Sequence, residues 1–260
     1  MKAQTRLCIS KREVGLDIDG DATSDDLASL LACFTSEELA PLYEMATRKV
    51  SEELSFNERV KHSRPQHSAY SDLIAHEIRL FGGNSFANLG RGGEGPPYAE
   101  IVRDVCRSRK VKVKRDASVI AMEQALLSRQ LDSLPADEQH RIRQEMAAAG
   151  LKGDLSAIPL SVLALQVGGQ LSGFLLYETG LQVANGIARA VIGQGISFLG
   201  NQMLVRGLAI ATGPIGLSIT GALALGSLAG PAKTVTVPAV HYIGAIRQKK
   251  LWESALAEAA

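Results

Sequence analysis

Apolar positions in the first 150 residues recur at helical spacing. Leu27, Leu30, Leu31 and Phe34 stand at i, i+3, i+4 and i+7, one stripe of a helix. Thr35 and Glu38 then have capping-box spacing, and Leu39, Leu42, Tyr43 and Ala46 carry the stripe onward, so a short helical hairpin is predicted. After a polar stretch to about Pro65, Tyr70, Leu73, Ile74, Glu77 and Ile78 trace one face of a further helix, which Gly82 and Gly83 stop. A glycine-dense loop, Gly82–Pro97, leads to Tyr98, Ile101, Val102 and Val105, again at i, i+3, i+4 and i+7. Helices from about Ala117 to Leu131 and Pro135 to Ala149 complete this part. No pair of alternating apolar runs joined by a tight turn stands out, so the expected class is all-α.

Beyond Asp154, a plausible N-cap, the pattern changes. Long apolar helices are expected from about Ala157 and from Ala190 to Ala211, and a third follows the Gly213-Pro214 break. The β-branched run Thr234–Pro238 reads as extended chain leading into a final helix with a polar end. The chain therefore divides into a lead-in (1–23), a soluble helical domain (24–150) and a hydrophobic, Gly-rich helical domain with a polar C-terminal helix (151–260).

Charge sharpens the division. Lys and Arg number 28 against 27 Asp and Glu, so net charge favours neither nucleic acid nor an acidic partner. Yet the 78 residues from Leu155 to Ala232 carry only Glu178, Arg189 and Arg206, together with 14 of the 25 glycines. Leu155–Tyr177 is 23 residues without charge, Ala190–Val205 is 16, and Gly207–Ala232 is 26. A membrane span takes about 20 apolar residues, so two of these stretches qualify by length, although Gln166, Gln170 and the Gly213-Pro214 break weaken them. Gly169 and Gly173, and then Ala222, Gly226 and Gly230, recur every four residues, a spacing that lets helices approach closely in lipid or in a tight core.

Candidate chemistry is sparse. His76-Glu77 begins a zinc-protease pattern, but Leu80 stands where the second histidine is required. His62 and His67 lie among polar residues without nearby cysteine, so no metal site is expected. The Gly82–Pro97 loop has no GKS or GKT and follows no strand, so no phosphate-binding loop or cofactor is expected. No nucleophile elbow is present, and no catalytic residue is assigned. Cys8, Cys33 and Cys106 are three scattered thiols, which fits a reducing, intracellular compartment. The N-terminus has basic residues but no apolar run behind them, which argues against a secretory signal. The densest charge is Arg107–Arg115, with Arg107, Arg109, Lys110, Lys112, Lys114 and Arg115 in nine residues. Such a run suits a solvated connector, or anionic lipid or an acidic partner. Without interleaved aromatics it does not suit nucleic acid.

The stretch from His76 to Leu127 resembles the bacterial YaaW family, with its GGxSxxN loop followed by a Tyr-x-x-Ile-x-x-Asp-Val helix. The resemblance falls on Phe81, Gly82, Gly83, Ser85, Asn88, Arg91, Gly92, Tyr98 and Asp104. Asp25–Leu42 is similar to the family's short N-terminal module, and Gly213–Arg247 to its Gly-rich end. The resemblance implies an all-α build and a bacterial source; it supplies no reaction, cofactor or catalytic residue. Some relatives carry a ubiquinol–cytochrome c chaperone-like label, which rests on distant similarity.

Three readings stay open, the third being an enzyme that uses the Gly82–Pro97 loop and Arg91 on a phosphorylated substrate. In the first, the protein is not an enzyme but a membrane-associated or membrane-inserting helical protein at the cytoplasmic face of the inner membrane. Its soluble domain is regulatory, anionic lipid is its partner, and it forms a homo-oligomer or pore. In the second, it is a chaperone-like or protein-binding module whose apolar half is a core or client groove.

Overall fold

The structure, a computed structural model, describes residues 27–47, 53–83, 94–134, 136–148, 153–166 and 231–259. Helix α1 (Leu27–Ala32) buries the predicted leucines and is followed by α2 (Ser36–Thr47). The capping box between them forms: Glu38 N–H donates to Thr35 Oγ1 at 3.2 Å, and Thr35 N–H donates to Glu38 Oε2 at 3.0 Å. The polar stretch before Pro65 holds two short helices, α3 (Glu53–Phe56) and α4 (Glu58–Ser63), the second capped by the Asn57 side chain on Arg59 N–H. A 3₁₀ turn (His67–Tyr70) enters α5 (Ser71–Gly82), which buries Ile74, Ile78 and Phe81 and packs along α1.

Helix α6 (Tyr98–Ser108) buries Tyr98, Ile101, Val102 and Val105, the predicted stripe. It ends in a Schellman turn: Val111 N–H reaches Cys106 O at 2.8 Å, and Lys110 N–H reaches Arg107 O at 3.1 Å. Lys110 takes the left-handed position of that turn with φ 57°, where glycine is usual. A side chain there costs roughly 1 kcal/mol relative to glycine. Helix α7 (Val119–Asp132) starts at the Ser118 cap and packs on α6.

Helix α8 (Ala136–Ala148) holds the following turn, Arg143 donating to the carbonyls of Leu155 and Ile158 at 2.8 and 2.9 Å. Asp154 folds onto Ser156 rather than capping a helix at residue 157, and Pro159 defers helix α9 (Leu160–Gln166) by three residues. Asp132 seats α9 on α7 by accepting from Ser161 N–H at 2.9 Å and Ser161 Oγ at 2.6 Å.

The last helix, α10 (Pro231–Ala259), runs where the sequence suggested extended chain. It packs against α2, α5, α6 and α7, and each residue from Val235 to Ile246 is buried. That burial explains the departure. Valine and threonine give up only about half a kcal/mol of helix propensity each, whereas fully burying a valine contributes about 1.5 kcal/mol or more. Pro238 is accommodated inside the helix. The C-terminal helix thus completes the core of the N-terminal helices, across the boundary placed at residue 150. No strand occurs among the described residues, so the chain is all-α.

Tight backbone approach also fixes the far side of α5. Gly95 lies so close to the Arg79 backbone that an added Cβ would overlap the Arg79 carbonyl, while the Arg79 guanidinium donates to the carbonyls of Gly95 and Pro96 at 3.0 and 3.2 Å. Gly95→Ala is therefore expected to destabilise by about 1–3 kcal/mol, measured by urea unfolding, whereas a change within 0.3 kcal/mol would contradict this packing.

Candidate functional site

Charged and polar side chains converge on α10 at two depths of the core. At the first, Glu38 of α2 is 4% exposed and uses both carboxylate oxygens. Lys249 Nζ donates to Oε1 at 2.7 Å, and Lys250 Nζ lies 2.9 Å from Oε2, which also receives the Thr35 N–H. Tyr242 Oη donates to the Glu38 carbonyl at 3.0 Å, and the Lys250 ammonium sits 5.5 Å from the centre of the Phe34 ring. Burial alone would raise the Glu38 pKa; Lys250 and Lys249 outweigh it and hold the carboxyl below its ordinary 4.5.

At the second, Glu123 of α7 is 1% exposed, accepts from Tyr98 Oη at 2.9 Å, and lies 2.7 Å from Arg247 Nε. That contact is an ion pair poorly aligned for a hydrogen bond, and the bond that forms runs from Arg247 Nη2 to Oε1 at 3.3 Å. Gly244 permits the approach, since a Cβ there would stand 3.2 Å from Glu123 Cβ. Gln124 donates to Gln248 alongside at 3.3 Å.

His241, wholly buried between these levels and the start of α10, hydrogen-bonds Val237 O through Nδ1 at 2.8 Å. Its Nε2 has no partner among the described residues. Burial pushes its pKa down to about 4, with a smaller push from nearby Arg109.

The sequence-derived candidates fall into three groups. Tyr98 is a buried strut between α6 and α7, and Gly82 lies against Ile101, so that α5 and α6 meet closely there. Gly83 is half-buried at the end of α5, and Asp104 is exposed and pairs with Arg107 at 2.6 Å. Ser85, Asn88, Arg91 and Gly92 lie outside the described residues, as do Gly169, Gly173, Ala222, Gly226, Gly230 and the stretch 207–230. In the basic run, Arg109 is half-buried while Lys110, Lys112, Lys114 and Arg115 are exposed.

The polar end expected for the last helix begins inside the core. Gln248, Lys249 and Lys250 are buried because Glu38 and Gln124 face them. Sequence reading assigned Glu38 only to the capping box and gave no role to Glu123, Arg247, Lys249 or Lys250. Neither short-range spacing nor charge density marks partners that lie 211 residues apart.

These arrangements tie α2 and α7 to α10. Among the described residues, no group of three or more His, Cys, Asp or Glu side chains could hold a metal ion, and no helix is long and apolar enough to cross a membrane. What fold and interior define is an all-α protein closed by a charged C-terminal helix.

Relatives place it further: the chain belongs to the UPF0174 family, which includes YaaW of Escherichia coli, and the resemblance to the YaaW family holds. A UPF0174 protein of Helicobacter pylori strain J99 is 32% identical over 223 residues, covering 82% of this chain and 87% of the relative. Another from Helicobacter pylori strain 26695 is 33% identical over 210 residues, covering 77% and 98%. YaaW of Escherichia coli K12 is 31% identical over 186 residues, covering 70% and 73%. No family model matches the chain, and no solved structure gives a significant match.

Two outcomes test this site. Glu38→Gln leaves two buried ammonium groups without their anion and is expected to destabilise by about 3–5 kcal/mol; loss of less than about 1 kcal/mol on denaturant unfolding would contradict the pairing. His241 has a depressed folded pKa, so the unfolded state binds the extra proton. Stability is full above pH 6.5 and is lost as pH falls towards about 4, by on the order of 3 kcal/mol. His241→Phe is expected to remove that part of the pH dependence; an unchanged pH–stability curve would contradict it.

Proposed function

We propose that the protein is a non-enzymatic, membrane-associated helical protein at the cytoplasmic face of the inner membrane. Its helical body is the base, and the charge-poor segment engages the bilayer. One observation carries this reading: the segment 167–230 leaves from α9 and returns into α10, and both of these helices pack on α7. The segment holds 64 residues and only Glu178, Arg189 and Arg206 as charges, too few to solvate a polar face on each helix it would form. With both ends on one body, any path through the bilayer must return to the side from which it started. At about 20 residues per crossing, the length accommodates two crossings and the connections between them.

In this reading the small residues at four-residue spacing, Gly169 and Gly173 and then Ala222, Gly226 and Gly230, serve helix contact inside lipid. Oligomer or pore formation would follow from the same contacts. Purified protein is expected to float with liposomes and to resist alkaline carbonate extraction. Recovery at the bottom of the gradient would contradict the reading and favour the protein-binding alternative. In bilayers, Gly226→Leu with Gly230→Leu should abolish cross-linked oligomers; unchanged assembly would remove these glycines from the contact.

A further inference from the structure

The chain between α6 and α7 presents its charge in one direction. Val111 and Val113 are half-buried and pack against the core, as does Ala117, while Lys110, Lys112 and Lys114 are exposed. The period-two alternation turns the valines inward and the three ammonium groups outward. Arg115 is also exposed, and its carbonyl is held by Arg103 at 3.2 Å, which pins the end of the strap. Among the described residues, Lys110, Lys112, Lys114 and Arg115 form no ion pair, in contrast to Arg107, which pairs with Asp104 at 2.6 Å. The strap is thus a row of cations seated by apolar contacts, with no ion pair at Lys110, Lys112, Lys114 or Arg115 among the described residues and Asp116 following at its end.

Lys110 adds a second, independent observation. It occupies the left-handed position of the Schellman turn at φ 57°, where glycine would be more stable and is the usual residue. Non-glycine residues in this backbone region cluster at ligand clamps and other functional positions.

We infer that residues 109–115 form a docking surface for an anionic bilayer, with Lys110, Lys112 and Lys114 meeting lipid phosphates. The inference rests on the membrane reading above and adds to it the lipid class and the face of the body turned to the membrane. A nucleic acid fits less well, because no aromatic side chain interrupts residues 107–117 to stack on bases.

The test uses the full chain and vesicles of phosphatidylcholine with and without phosphatidylglycerol. Phosphatidylglycerol should raise the vesicle-bound fraction, and high salt should cancel the increase. Lys110→Gly should lower the anionic-vesicle partition about fivefold, and Lys110→Gly with Lys112→Gln and Lys114→Gln about a hundredfold. The thermal midpoint of Lys110→Gly should be no lower than that of the parent, which separates the contact from folding. Equal flotation on both lipids, or unchanged partition of the triple variant, would overturn the docking surface while leaving membrane association standing. Absence of flotation on either lipid would overturn both. Binding to a single-stranded oligonucleotide that exceeds binding to vesicles and is lost in the triple variant would overturn the lipid assignment in favour of nucleic acid.

Discussion

The carboxylate of Glu38 is the constraint around which the rest of the molecule is arranged. It is buried, it completes the capping box of α2, and it neutralises two lysines that α10 carries into the interior. A buried ion pair adds little net stability compared with apolar groups of the same shape, but separating its partners is expensive. Its effect is selection of register. Successive residues of a helix are about 100° apart, so a one-residue slip of α10 would put Gln248 or Leu251 in place of one of the two lysines at Glu38 and turn Arg247 away from Glu123. Tyr242 on the Glu38 carbonyl and Gly244 against Glu123 enforce the same setting.

That register gives the chain its organisation. The final helix is a central element of the core, so the N-terminal helices are incomplete without residues more than 200 positions later. In sequence, the charge-poor stretch 167–230 therefore lies between helices of one core. Asp132 on Ser161 seats the exit at α9, and the two ion-paired levels seat the return at α10. A segment held at both ends can engage lipid while its base remains folded. On the proposed membrane reading, the body is the anchor and the basic strap is the edge turned to the bilayer.

How much of this was legible in sequence depended on range. The stripes at Leu27–Phe34 and Tyr98–Val105 appeared as written, because an amphipathic helix at a surface shows its period locally. The Thr35–Glu38 box was legible for the same reason. Residues 234–238 misled because β-branched residues favour strands only weakly, and a helix buried on all sides has no polar face to display a period. Lys249 and Lys250 read as a polar end because a lysine pattern carries no mark of the acid that will meet it 211 residues away. Of the candidate contact residues, the basic run was visible as composition. Its one-sided display needed Val111 and Val113 to be placed against the core, and the strain at Lys110 needed a backbone angle.

Hydrogen exchange of the whole chain, free and bound to anionic vesicles, separates a locked body from one that opens. If α10 locks the body and the body persists as a base, amides 235–246 exchange only through global unfolding and keep that protection on vesicles. Rapid exchange of these amides in the free protein would contradict the lock. Loss of their protection on vesicles alone would mean that the body opens on binding, which would contradict the account of a closed base.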